Sequence, residues 1–364
     1  MNRFLFYIGH PAHYYNVINL ANALASESHE IIFVVREKDV LLDLLKDCNF
    51  KTILLGRKKS NSKLGLILSI ILRQIKLCLI CLKSKPNFLI GTDIVITHIG
   101  YFLRIPSFIL NEDDAKEVPY LANFGFKYAT AVFSPNCCDI SPYNTNKIGY
   151  NSYHEIAYLH PNYFSPNKKE IEKYIDIDKP FFILRFSDLS AHHDVGKNGI
   201  NDSLALEIVS MLVEFGNVYI TSERKLSKEL DPFRISLPPK LIHHALAFSQ
   251  AFIGDSQTMT AEASVLGTLS VRISDFKGKL SYLNEIEQFG LSTSFLPNNK
   301  AGIITHLKKI YNCSKYSTDL KRKQLLNEKI DLTAFWVWFF TDYPRSIDSC
   351  RNDINYANKF KIST

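Results

Sequence analysis

The chain has 364 residues, enough for two domains of ordinary size. At 46% hydrophobic and 22% charged residues, it is neither disordered nor low in complexity, and no period suggests a repeat array. The net charge of +7, with basic clusters at Arg57-Lys58-Lys59 and Lys321-Arg322-Lys323, predicts either a solvated surface or attraction to anions; no nucleic-acid-binding module accompanies it.

Phe4 to Ile8 is a continuous apolar run ending at Gly9, the pattern of a buried parallel strand. It is too short for a signal segment, so no export is expected. Asn16 to Ser26 carries Val17, Ile18, Leu20, Ala21 and Leu24 at helical spacing. A strand follows at Glu30 to Val35, a helix from about Lys38 to Asp47, and a strand at Lys51 to Leu55. Leu64 to Leu82 nearly reaches membrane-spanning length, but Arg73, Gln74 and Lys76 fall near its middle. A helix buried on one face is expected there, with a helix dipping into a membrane surface as the alternative. Phe88 to Ile90, Asp93 to Thr97, Ser107 to Leu110 and Ala129 to Ser134 read as short strands. From Asn136 to about Pro166 the pattern is lost, as in a linker with loops.

A second alternating set begins with a strand at Phe181 to Phe186, a helix at Ser203 to Phe215 and a strand at Asn217 to Thr221. Leu241 to Phe248 reads as a short helix, Ala251 to Gly254 as a strand, Met259 to Leu266 as a helix and Leu269 to Ile273 as a strand. Helices fill Ala301 to Lys329. Leu332 to Phe340, rich in aromatic residues, predicts a helix packed against the N-terminal domain. The fold class is therefore α/β, with domains at 1–165 and 166–330 and a C-terminal segment at 331–364. Doubly wound sheets bind ligands at the carboxyl ends of their strands, so a ligand shared by both domains is expected in the cleft between them.

Four stretches can carry chemistry. Phe252 to Ala263 runs from a strand through Gly254-Asp255-Ser256 into a helix. Unpaired N–H groups at that helix start form a phosphate cradle, to which Ser256, Gln257, Thr258, Met259 and Thr260 contribute. Glu262, one turn inside, can accept from two ribose hydroxyls. An ordinary N-cap with a solvated Glu262 explains the same spacing. Arg185 to Asp194 follows a buried strand, and Ser187, His192 and His193 there can bind phosphate, while Arg185 offsets charge; a polar loop is the plain alternative. His10 and His13 follow the first strand and can act as a general base. Asn111-Glu112-Asp113-Asp114 offers Glu112 and Asp114 as further bases, or is a solvated turn.

The seven cysteines are irregularly spaced, and Cys78 and Cys81 form a lone C-x-x-C inside an apolar stretch. Buried thiols in a reducing, cytoplasmic setting are expected, without metal. No P-loop, dinucleotide fingerprint or nucleophile elbow occurs.

Several segments together resemble a known family: Tyr7 to Leu45, Tyr153 to Asn167, A-H-H-D at Ala191 to Asp194, and T-M-x-x-E-A-x-x-L-G-T within Gly254 to Ser274. They are similar to the domain-of-unknown-function family 354, grouped with GT-B glycosyltransferases and the UDP-N-acetylglucosamine 2-epimerases. The resemblance implies two facing Rossmann-like domains with a C-terminal crossover helix. Where the epimerases have a Ser-Gly-Gly core and two glutamates, this sequence has Ser256-Gln257-Thr258 and Glu262 alone, which weakens an epimerase reading.

The resulting expectation is a metal-independent glycosyltransferase of surface-polysaccharide biosynthesis that needs no cofactor. It takes a nucleotide-diphosphate sugar, UDP-linked, and delivers the sugar to a glycan or lipid-linked acceptor. The donor rests on Ser256 to Thr260, and His13, His10, Glu112 or Asp114 takes the acceptor proton while His192 and His193 aid departure of the diphosphate. Peripheral membrane contact through 57–82 accompanies this expectation. The alternatives are an epimerase or hydrolase on the same scaffold, and a non-catalytic partner in a polysaccharide assembly complex.

Overall fold

A computed structural model describes residues 1–37, 39–56, 63–187, 199–311 and 315–361. Contacts divide the chain into two units: Met1–Tyr158 together with the chain from Lys329 onward, and Leu159–Glu328.

Unit one contains β1 (Arg3–Ile8), α1 (Pro11–Ser26), β2 (Glu30–Val35), α2 (Asp39–Leu45), β3 (Lys51–Leu54), α3 (Lys63–Ser84), β4 (Phe88–Gly91), α4 (Ile94–Leu103), β5 (Ser107–Leu110), α5 (Pro119–Phe124), β6 (Ala131–Pro135), β7 (Lys147–Tyr150) and α6 (Ile156–Leu159, whose last residue begins unit two). Its seven strands are all parallel, in the order β3-β2-β1-β4-β5-β6-β7. The order reverses at β1 and β4, which makes their carboxyl ends the place for a ligand.

Side chains alternate across each strand, so β1 feeds two cores. Phe4, Phe6 and Ile8 join one cluster with Val17, Leu20 and Leu24 of α1. Leu5 and Tyr7 join another with Leu77 and Cys81 of α3 and with Val95 and Ile99 of α4.

Two expectations need correction here. Asp93 to Thr97 is not a strand. Asp93 caps α4 by accepting from the Val95 N–H at 3.0 Å, and the β-branched run behind it is helical because both neighbouring layers bury it. The segment from Asn136 to Pro166 is not patternless either. It contains β7, an edge strand whose outer side needs no apolar residues.

Unit two contains β8 (Phe181–Phe186), α7 (Asp202–Leu212), β9 (Asn217–Ser222), α8 (Ile242–Phe248), β10 (Ala251–Gly254), α9 (Gln257–Val265), β11 (Leu269–Ile273), α10 (Ser281–Gln288), β12 (Ser292–Phe295), α11 (Lys300–Ile310) and α12 (Lys315–Glu328). Its strands are parallel in the order β12-β11-β10-β8-β9, reversing at β8 and β10. One face of the sheet is covered by α7 and α11. On the other face Ser270 of β11 meets Ser264 of α9 at 3.1 Å.

The chain then returns to unit one as α13 (Leu332–Thr341) and α14 (Arg345–Asn352). Phe335, Trp336, Phe339 and Phe340 of α13 are buried against Phe108 and Phe133 of the sheet. Thr333 donates to the Ala157 carbonyl at 2.8 Å, and Ser152 donates to the Ile330 carbonyl at 3.0 Å.

The polar residues in the middle of α3 have inward partners. Arg73 donates to Tyr7 Oη at 2.7 Å and to the Asp93 carboxylate, Gln74 meets His98 Nδ1 at 2.6 Å, and Lys76 donates to the Leu55 carbonyl at 3.0 Å. Among the described residues no helix is long and apolar enough to cross a membrane.

Candidate functional site

At the switch point of unit two, β8 leads into Ser187, and β10 ends at Gly254 and leads into Asp255-Ser256. The two ends approach closely: a Cβ on Gly254 would lie 2.9 Å from the Arg185 carbonyl oxygen, so only glycine fits. Asp255 ties the chain together beside it. Its Oδ1 accepts from the Ser187 N–H at 2.7 Å, and its carboxylate also takes the Ile200 N–H. Burial pushes this carboxyl up from its ordinary range while those donors hold it down.

Ser256 is the N-cap of α9. Its hydroxyl accepts from the Met259 N–H at 3.3 Å, and its carbonyl accepts from Thr260 Oγ1 at 2.7 Å. Thr260 is therefore a buried strut, whereas Gln257, Thr258 and Met259 form a half-buried first turn. The N–H groups of that turn lack carbonyls one turn back and carry the positive end of the helix dipole.

Glu262 is neither on the surface nor solvated. It is 4% exposed, and its Oε1 lies 2.9 Å from Nε2 of the equally buried His243 on α8. The Arg185 guanidinium pairs with Glu223. His192 and His193 lie outside the described residues.

A groove of about 880 Å³ opens by the starts of α7 and α11, with Asp202, Arg224, Asp275 and Lys300 as its charged lining and Ile200, Leu296 and Pro297 as its apolar lining. Its lining follows the carboxyl ends of β11 and β12, and the first turn of α9 is not part of it.

Unit one presents a different chemistry at its own switch point. His10 caps α1, with Nδ1 accepting from the Ala12 N–H at 3.3 Å. His13, one turn on, accepts from the Gly9 N–H at 3.3 Å, and Thr92 Oγ1 at the end of β4 lies within 2.9 Å of both its ring nitrogens. The first and fourth strands thus position one half-buried imidazole.

The stretch after β5 is not a solvated turn. Asn111 and Asp114 are buried, and Asp114 Oδ1 accepts from the Asp139 N–H at 2.8 Å, so it holds a loop. Glu112 Oε1 accepts from the His154 N–H at 2.7 Å, and its Oε2 lies 3.5 Å from His154 Nδ1. Burial raises the Glu112 carboxyl well above its ordinary range. Burial, with the nearby His13 charge second, lowers His154 to about 3. The pair is held largely uncharged. Asn16 of α1 lies 3.2 Å from His154 Nδ1, while the buried Nε2 has no hydrogen-bond partner among the described residues.

Sequence reasoning placed His13 and Glu112 separately and missed Thr92, Asn16 and His154. His154 does fall within the Tyr153 to Asn167 stretch that carries the family resemblance, but its burial depends on Trp336, whose ring lies 5.7 Å away.

No family model and no curated protein matches this sequence. Solved structures do resemble it. S. aureus MnaA, solved with UDP, matches with a TM-score of 0.69 at 13% identity, over 96% of this chain and 98% of that one. The Neisseria meningitidis UDP-GlcNAc 2-epimerase bound to UDP-GlcNAc matches with a TM-score of 0.59 at 14% identity, over 89% and 98%. The calicheamicin glycosyltransferase CalG4 matches with a TM-score of 0.56 at 12% identity, over 97% and 99%. At these identities the likeness shows the fold: two Rossmann-like parallel-sheet domains of the GT-B and epimerase kind.

Proposed function

We propose that the chain is an enzyme acting on a nucleotide-diphosphate sugar, and that it transfers the sugar to a hydroxyl acceptor. The observation that carries this reading is a division of labour between two switch points. Unit two offers a half-open helix start suited to a diphosphate, and unit one offers a polar imidazole suited to a hydroxyl proton. Likeness to proteins solved with UDP and UDP-GlcNAc supports the donor class.

In this reading the first turn of α9 holds the diphosphate through backbone N–H groups. His13 accepts the proton of the acceptor hydroxyl. The acceptor oxygen bonds to the anomeric carbon as the bond to the diphosphate oxygen breaks, and the electron pair leaves on that oxygen. Negative charge developing there meets the positive end of the α9 dipole. Direct attack inverts the anomeric centre.

A second reading, epimerisation or hydrolysis of the same donor, is favoured by the Glu112–His154 pair. A carboxyl held protonated beside a neutral imidazole can give and take protons at a sugar carbon or a water. Incubation with UDP-GlcNAc, without and then with hydroxyl acceptors, separates the readings. Rapid epimer or free sugar formation without acceptor rejects transfer. Absence of nucleotide binding by calorimetry, across uridine, guanosine and thymidine diphosphates, rejects both.

A further inference from the structure

The helical layer formed by α3, α4 and α5 has an inner face accounted for by the core and an outer face with no such explanation. Along α3, Leu68, Leu72, Ile75, Leu79 and Leu82 recur at steps of four and three, which keeps them on one side of the helix. With Ile71 they are 45% to 62% exposed, while Leu77 and Cys81 opposite them are buried. The layer continues through one hydrogen-bonded hub. His98 of α4 meets Gln74 of α3 at 2.6 Å and the Phe124 carbonyl of α5 at 2.6 Å. Beyond that hub stand Tyr101, Phe102, Tyr120 and Phe124, all at least half exposed, with Phe102 at 74%. Single exposed apolar residues are ordinary, but a sustained stripe next to four aromatics marks an interaction surface.

Charge identifies the occupant. Between Asp47 and Asp93 the sequence has nine lysines and arginines and no acid. Asp93 itself is taken up by Arg73. Arg104 is the one charged residue from there to Leu110, and Lys127 the one between Val118 and Cys138. Lys83, Arg104 and Lys127 are exposed on this layer. A water-facing helix normally mixes signs, and a protein partner would select for both. Within α3, α4 and α5 themselves aliphatic and aromatic side chains occur with basic residues and no acids, with Asp93 before α4 and the half-buried Glu117 before α5. That composition matches the interface of an anionic bilayer, where rings sit at headgroup depth and lysines meet phosphates.

We propose that unit one docks on anionic lipid through the outer face of α3, α4 and α5, with α3 lying in the plane of the interface. This goes beyond the nucleotide-sugar reading and does not depend on it.

The test is cosedimentation of the full chain with vesicles of phosphatidylglycerol and phosphatidylcholine, against vesicles of phosphatidylcholine alone. Binding to the mixed vesicles that weakens with salt is expected. The double variant Leu72→Ser/Leu79→Ser removes side chains that are 50% and 62% exposed, so its melting temperature should fall by only a few degrees while its partitioning falls roughly tenfold or more. Lys83→Glu/Lys127→Glu should lower binding to mixed vesicles without changing nucleotide affinity. Wild-type protein left in the supernatant with both vesicle types overturns the proposal, as does undiminished binding by the leucine variant. A wild-type dimer in light scattering that Leu72→Ser/Leu79→Ser converts to monomer, without vesicle binding, assigns the face to a second copy instead.

Discussion

His243 Nε2 stands 2.9 Å from Glu262 Oε1, and the two side chains are 4% and 5% exposed. An acid assigned to a ribose is thus also bonded inside unit two. Removing it leaves a buried imidazole short of an acceptor, at a cost of about 1–3 kcal/mol. Glu262→Ala should therefore lower the urea midpoint and weaken UDP binding together. Glu262→Gln keeps an oxygen for His243 and should lose affinity with less loss of stability. Calorimetric titration with UDP checks both, and wild-type affinity in the two variants would remove Glu262 from the nucleotide site.

His13 is assigned as the base. His13→Ala should reduce turnover by about 10²–10⁴-fold and leave UDP affinity unchanged. Thr92→Val should have a smaller effect, because Thr92 touches the ring without receiving the acceptor proton. Parallel loss of UDP binding in His13→Ala would refute the division between the two units.

Glu112 and His154 oppose each other in their dependence on pH. His154 stays neutral in the fold down to about pH 3, whereas the unfolded chain takes up its proton near 6.5. The unfolded state binds more protons across that window, so acidification through it favours unfolding. Glu112 keeps its proton in the fold above the ordinary carboxylate range, so its contribution is lost as pH rises through its raised pKa. Glu112→Gln removes only the second effect. Its urea midpoint should compare best with wild type near about pH 8 and lose that advantage near about pH 5. A constant difference at every pH would show that Glu112 ionises normally.

Arg73 joins α3 to β1 and α4 through Tyr7 and Asp93, and its side chain is 13% exposed. Arg73→Met leaves the Asp93 carboxylate partly buried without its cation. A loss of up to about 3–5 kcal/mol is expected for a broken buried pair, read as a lowered urea midpoint. Arg73→Met/Asp93→Asn should recover part of it, and equal stability of Arg73→Met and wild type would make the pair incidental.

The two sheets were legible because parallel strands buried on both faces are written as apolar runs, such as Phe4 to Ile8 and Phe181 to Phe186. Of the four edge strands, Lys51–Leu54 and Asn217–Ser222 are legible, while at the other two the signal fades. Lys147–Tyr150 and Ser292–Phe295 alternate with polar residues and were passed over. Ile94 to Thr97 has strand-like composition but follows a capping aspartate, and the cap together with burial decides its state. The switch-point residues Gly9 and Gly254 were visible from their place after a strand. The partners His154, Asn16 and His243 were not, because each is fixed by packing against a distant segment. Asn16 and His154 are 138 residues apart.

Thr333 bonds to Ala157 across 176 residues of sequence, all of unit two lying between them. During synthesis the first sheet emerges with the ring faces of Phe108 and Phe133 bare, and the helix that covers them leaves the ribosome only after unit two has been made. The domain encoded later can thus complete its own core before the one encoded first. A nascent chain stopped before Lys329 should hold unit two folded while unit one remains a client for chaperones.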